Sequence, residues 1–145
     1  MKLDFSDLEI LKTSLGIQHK AYEVEAHLIG SKNIPPLQET IEQLKEANEI
    51  FLGYFEDKLL LGFIAVEDEE QNLRISRLVV NPQYFSKGIG TKLVQHVLNK
   101  FRNGRKVIVS TGNGNLPAKR LYEKFGFSQI RIFTIDEISI AEFEF

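Results

Sequence analysis

Apolar residues change their spacing several times along this chain, and each change marks an element. Ile17, Ala21, Val24 and Leu28 recur at four-three-four spacing, one face of a helix. Gly30-Ser31-Lys32-Asn33 ends that helix, and Pro35-Pro36 forces an extended turn. Leu37, Ile41 and Leu44 mark a second short helix, with Glu39 and Glu42 in early turns where the helix dipole favours acids. The pattern then tightens into strand-like runs at residues 51–55, 59–66 and 73–80. Glu56-Asp57-Lys58 separates the first two, residues 67–72 separate the second from the third, and Asn81-Pro82 stops the third. Connections this short suit an antiparallel meander.

The helical period returns with Leu93, Val94, Val97, Leu98 and Phe101, and Asn103-Gly104 is the stop signal. Residues 106–111 are rich in β-branched side chains and read as a strand. Residues 115–125 read as a helix, with Pro117 in its first turn and Gly126 at the position after its end. Residues 127–135 and 138–145 read as two last strands. The order (two helices, three strands, helix, strand, helix, two strands) is an α+β pattern with one parallel crossover. No repeat, low-complexity tract or linker interrupts it, so residues 1–145 form one expected domain.

Composition narrows the function. Hydrophobic residues make up 43% and charged residues 26%, the balance of a soluble globular protein with a substantial core. There is no cysteine, which excludes disulfides, thiolate metal sites and a cysteine nucleophile. The net charge of -2 gives no sign of a nucleic-acid partner. No apolar run approaches the roughly 18 residues of a membrane span, and the first residues lack a signal-peptide stretch. A cytoplasmic location is the expectation. His19, His27 and His96 are scattered without ligand spacing, so no metal is expected.

The most informative segment is Phe85-Ser86-Lys87-Gly88-Ile89-Gly90-Thr91-Lys92, between the third strand and a helix. Two glycines one residue apart let the backbone approach a ligand closely. The helix start beyond them offers unpaired N–H groups and the positive end of a dipole, a phosphate site. It is not a Walker A loop, because Thr91 stands between Gly90 and Lys92 and no glycine precedes at the required distance. It is not a dinucleotide fingerprint either, because Leu93 occupies the position of the third glycine.

Residues 78–93, from Leu78-Val79-Val80 through Gly88-Ile89-Gly90-Thr91, resemble the acyl-CoA pyrophosphate motif of the GNAT superfamily of N-acetyltransferases. Asn115-Leu116-Pro117-Ala118-Lys119-Arg120-Leu121-Tyr122, followed by Gly126-Phe127, resembles that superfamily's second signature. The resemblance implies a mixed, mostly antiparallel central sheet flanked by helices, with acetyl-CoA as cosubstrate and an amine as acceptor, either a small molecule or a protein amine. It implies that the backbone of Leu78, Val79 and Val80 pairs with the pantetheine arm. A backbone N–H near Val80 would face the thioester oxygen, and Ser86, Lys87, Gly88, Ile89, Gly90 and Thr91 would hold the pyrophosphate. Asn115 would contact the pantetheine side, and Tyr122 would protonate the CoA sulfur. Phe85 stands where the family usually carries Gln or Arg. The family's glutamate base falls, by counting back from Gly88, on Arg74, which cannot accept a proton. Glu67, Glu25 and a water chain all remain open as substitutes. Tyr22 and Glu25, beside the apolar face of the first helix, are candidates to line an acceptor pocket. A second reading, a CoA-binding sensor or partner module without turnover, rests on Arg74 and Phe85. The last strand, ending at Phe143 and Phe145, is expected to cover a sheet edge or to pair with another subunit in a homodimer.

Overall fold

A computed structural model of the chain describes residues 1–31 and 34–145. Lys32 and Asn33, part of the expected helix-ending turn, lie outside the described residues. The first helix, α1 (Leu8–Ile29), begins well before the apolar quartet that signals it. Asp7 starts it, its carboxylate accepting from the backbone N–H groups of Glu9 and Ile10, and Gly30 ends it in the left-handed conformation (φ 72°). The expected second helix is two pieces, α2 (Pro35–Gln38) and α3 (Ile41–Glu46). Pro35 sits at the start of α2, where a missing N–H costs nothing, and Ile34 before it is extended. Thr40 and Gln43 close a reciprocal capping box that starts α3 afresh.

Six strands form one sheet: β1 (Ile50–Glu56), β2 (Leu59–Asp68), β3 (Asn72–Val80), β4 (Lys106–Gly112), β5 (Ser128–Ile135) and β6 (Ile138–Glu144). Their order is β1-β2-β3-β4-β6-β5. All neighbours are antiparallel except β3 and β4. The two hairpins β1–β2 and β5–β6 turn at Asp57-Lys58 and Asp136-Glu137, where both residues of each pair have positive φ, as a two-residue I′ turn requires. The expected edge role of the last strand is corrected here. β6 lies between β4 and β5, paired on both sides, and the exposed edge is β5, with Ile132 and Ile135 more than half exposed. Phe143 is driven inward because it belongs to the core that β4 and β6 share with the helices.

Helices cover both faces. α4 (Ile89–Lys100) and α5 (Leu116–Phe125) pack on one, where Ile64, Val66, Leu73, Ile75, Val94 and Phe143 are buried together. On the other, α1 and α3 cover Phe51, Phe63, Ala65 and Val79. β2 is therefore buried on both faces, which is why residues 60–66 read as a continuous apolar run rather than an alternation.

β3 changes sides partway. Val66 pairs with Ile75 but Ala65 pairs with Arg77, so Ser76 is an extra residue, a β-bulge. Before it, Leu73 and Ile75 point to the α4–α5 core; after it, Val79 points to the α1–α3 core. Arg77 also turns to the α1 side, where it pairs with Glu39 and with Glu49 (2.9 Å) and donates to Gln18 (2.9 Å). Ser76 donates to Glu49 as well (2.5 Å). Both carboxylates and the guanidinium are largely buried. Burial alone would raise the Glu39 carboxyl, but hydrogen bonds from Arg77 and Gln18 outweigh it and hold the group below its usual range. Glu39 therefore stabilises the fold fully above the ordinary glutamate value of about 4.3 and loses that contribution as pH falls through its lower folded value. Replacing Arg77 with Ala strands two buried carboxylates and should cost about 3–5 kcal/mol in urea unfolding at pH 7. The difference from wild type should narrow as pH falls from about 4.3 through the lower folded value of Glu39, where its pairing with Arg77 is lost.

Candidate active site

Parallel pairing of β3 with β4 lasts four residue pairs, from Asn72 opposite Lys106 to Ile75 opposite Val109, and then stops. Beyond the bulge the strands part. β2 still holds Leu78, Val79 and Val80 from one side, so their other side is an open sheet edge. α1 and α5 bridge the gap, and the space between is a cleft in two connected parts. A part of about 250 Å³ is walled by Ile75, Leu78, Val109, Thr111 and Tyr122. A part of about 560 Å³ runs to the glycine loop. Tyr22, Glu25, Leu78, Asn115 and Ala118 line both.

At the loop end, Phe85, Ser86, Gly88, Ile89, Gly90 and Thr91 form the wall. Gly88 precedes α4 in the left-handed conformation (φ 78°), which explains the glycine, and no side chain caps the helix start. The N–H groups of Ile89, Gly90 and Thr91 thus lack intrahelical partners. A Cβ added at Gly88 would meet no atom within 4 Å, and one at Gly90 would make ordinary contacts with Leu121 at 3.4 Å, Leu78 at 3.8 Å and Val80 at 3.9 Å. The bare backbone there is a surface left open, fitted to a phosphate group. Phe85 is 44% exposed at the rim. Two expected members are not among the lining residues: Val79 is buried in the α1–α3 core and so can contribute backbone only, and Lys87 is exposed.

At the other end, Tyr122 is 3% exposed, packed between Phe127 and Phe143. Burial, and then the charge of Glu25, push its phenol well above the ordinary tyrosine value, so it is protonated at neutral pH. Tyr22 is pushed the same way, by burial first and Glu25 next. Asn115 is occupied at both ends of its amide. Its oxygen accepts from the Ala118 N–H (3.2 Å), starting α5, and its nitrogen donates to Glu25 Oε1 (2.6 Å). Thr111 Oγ1 donates to the same oxygen (3.1 Å).

The remaining base candidates separate clearly. Arg74 points to Glu69 (3.8 Å) and Glu142 (3.7 Å), away from the cleft. Glu67 lines an outer recess with Glu39, Glu49 and Asp136, which meets the cleft at Pro35, Pro36, Ser76 and Arg77. Of the two carboxylates left open as the base, Glu25 alone lines the cleft itself. Thr111 and Arg77 were missed in the sequence. Thr111 is the penultimate residue of β4 and carries no local signal of its own. Arg77 could have been found as a charge inside an apolar run. Among the described residues no group of three His, Asp or Glu is placed to hold a metal ion, and no helix is long and apolar enough to cross a membrane.

A curated relative, the UPF0157 protein YqkA of Bacillus subtilis, is 37% identical over 127 residues. The match takes in 88% of this chain, and the chain spans 37% of that relative's length. Among solved structures, the PaiA N-acetyltransferase of Thermoplasma acidophilum, in complex with coenzyme A, superposes with a TM-score of 0.77 over 100% of this chain and 97% of its own, at 21% identity. The smu.2055 protein of Streptococcus mutans gives 0.81 over 100% and 96%, at 18% identity. At such identities the likeness is one of fold. The profile of the acetyltransferase (GNAT) family matches residues 17–127, across the parted strands, the glycine loop and the Tyr122 helix, and the chain belongs to that family.

Proposed function

We propose that this chain is an acetyl-CoA-dependent N-acetyltransferase in which a primary amine attacks the thioester directly, without a covalent enzyme intermediate. One observation carries the reading: a single cleft joins a backbone phosphate site at Gly88 and Gly90 to the buried phenol of Tyr122. The cosubstrate supplies the activated acyl group. The N–H groups of Ile89, Gly90 and Thr91, with those of Ser86 to Gly88, hold the diphosphate, and the helix dipole adds to their attraction. The open edge of Leu78, Val79 and Val80 takes the pantetheine amides as a strand would, and a backbone N–H near Val80 polarises the thioester oxygen. Because the backbone does this work, Phe85 in place of a polar residue is compatible with binding. Tyr122 donates its proton to the departing sulfur.

The acceptor side is set by the recess at the opposite mouth. Among the described residues that line it, four carboxylates stand against one guanidinium, Arg77, which is already paired twice. That balance favours a cationic amine over an anionic one.

Acetyl-CoA at about a hundred times its Kd should raise wild-type stability by about 2.7 kcal/mol, read as a clear rise in Tm. Gly88→Trp, which fills the phosphate end, should lose that rise; a wild-type chain that shows none at saturating cosubstrate contradicts the proposal. Tyr122→Phe should keep acetyl-CoA binding within about threefold and lower kcat by about 10²-fold. Thiol release measured over a panel of amines checks this, and an unchanged kcat removes Tyr122 from its role. A chain that binds acetyl-CoA and acetylates no amine would instead be the sensor module.

A further inference from the structure

Glu25 is used by nothing derived so far, yet it occupies the middle of the cleft. It comes from α1, and it is tied to two other elements: Thr111 on β4 and Asn115 at the start of α5. Both hydrogen bonds end on Oε1. Oε2 receives none among the described residues, on a side chain that lines both parts of the cleft. A carboxylate fixed by one oxygen and open at the other is oriented but not consumed. The other nearby carboxylates are spent or misplaced. Glu39 and Glu49 neutralise Arg77, and Glu67 lies in the outer recess.

We propose that Glu25 is the group that takes the proton from the attacking amine, held for that task by Thr111 and Asn115. The inference rests on the acetyl-transfer reading above. The cationic amine gives its ammonium proton to water on entering the cleft, and the neutral amine then forms its bond to the thioester carbon as the C–S bond breaks. One amine proton passes to Glu25 Oε2, and the sulfur leaves with the proton of Tyr122. Glu25 is then a neutral acid and Tyr122 a phenolate lining the same cavity, and proton return from the one to the other restores both. Neutral amine plus thioester becomes amide plus thiol, with no further proton gained or lost. The electrostatics support the sequence of events. The charge of Glu25 is one of the causes that hold the Tyr122 proton on, so neutralising Glu25 makes Tyr122 a better acid just as the thiolate departs.

The test is steady-state thiol release by the full chain with acetyl-CoA and putrescine, spermidine, a lysine peptide and an alanine-terminated peptide. Wild type is measured first; if it binds acetyl-CoA but releases no thiol with any of them, the parent reading fails and this assignment with it. Glu25→Gln keeps an oxygen for Thr111 and Asn115 to donate to, so the tether survives while the base is lost. Its kcat should fall about 10²-fold, with KM for acetyl-CoA within about threefold. Glu25→Ala should be equally slow, and added formate should restore part of its rate in proportion to concentration, which a purely structural role would not allow. The acetyl-CoA-induced rise in Tm reports folding of both variants, and Glu25→Gln decides alone should Glu25→Ala fail to fold. An active wild type whose Glu25→Gln variant keeps kcat within threefold, or a folded Glu25→Ala variant that formate leaves unchanged, overturns the assignment.

Discussion

The site exists because two parallel strands stop pairing. β3 and β4 run together for four residue pairs and then part, and everything with chemical potential lies in or beside the gap. The parting coincides with the bulge at Ser76, and the bulge is held from the far side of the sheet. Arg77 reaches Glu39 between α2 and α3, Glu49 before β1 and Gln18 on α1. An unpaired buried guanidinium would be costly, so once the bulge has turned Arg77 to that face, two carboxylates must meet it. Part of the stability of the α1–α3 layer is thereby tied to the shape of the cleft on which the layer rests.

α1 sets the width of the gap. Its last turn lies against the end of β4, where Gly112 and Gly114 stand in place of larger residues. A Cβ on Gly112 would come within 2.5 Å of Ile29, and one on Gly114 within 3.0 Å of the Leu28 carbonyl oxygen. The close approach brings Tyr22 and Glu25, three residues apart and so on one helix face, within reach of β4 and α5. The Gly-Asn-Gly segment that begins at the last residue of β4 thus lets a helix from the other layer dock there.

How legible all this was depended on how far apart the cooperating residues are. The strands announced themselves, because β2, buried on both faces, needs apolar residues throughout. The helix starts were harder. Asp7 and the Thr40–Gln43 box act through polar side chains outside the apolar pattern, so α1 reads too short and α2–α3 read as one. The order of the last two strands was not legible at all. β5 and β6 are both apolar at alternate positions, and only the core around Val107, Val109 and Phe143 puts β6 inside and leaves β5 at the edge.

The same distinction divides the site. The proposed phosphate end is made by consecutive residues, and the groups assigned to it are backbone N–H groups. Its mark in the sequence is therefore an absence of side chains, Gly88 and Gly90, and that mark stays readable with Phe85 where the family usually carries Gln or Arg. The other end is made by side chains that meet only after folding. Glu25 and Asn115 are 90 positions apart and 2.6 Å apart. No local spacing encodes such a pair; it depends on the bulge, the parted strands and the two glycines that admit α1. Where backbone does the binding, a motif suffices to find the site. Where side chains from three elements converge, the chemistry becomes visible only once the packing that brings them together is known.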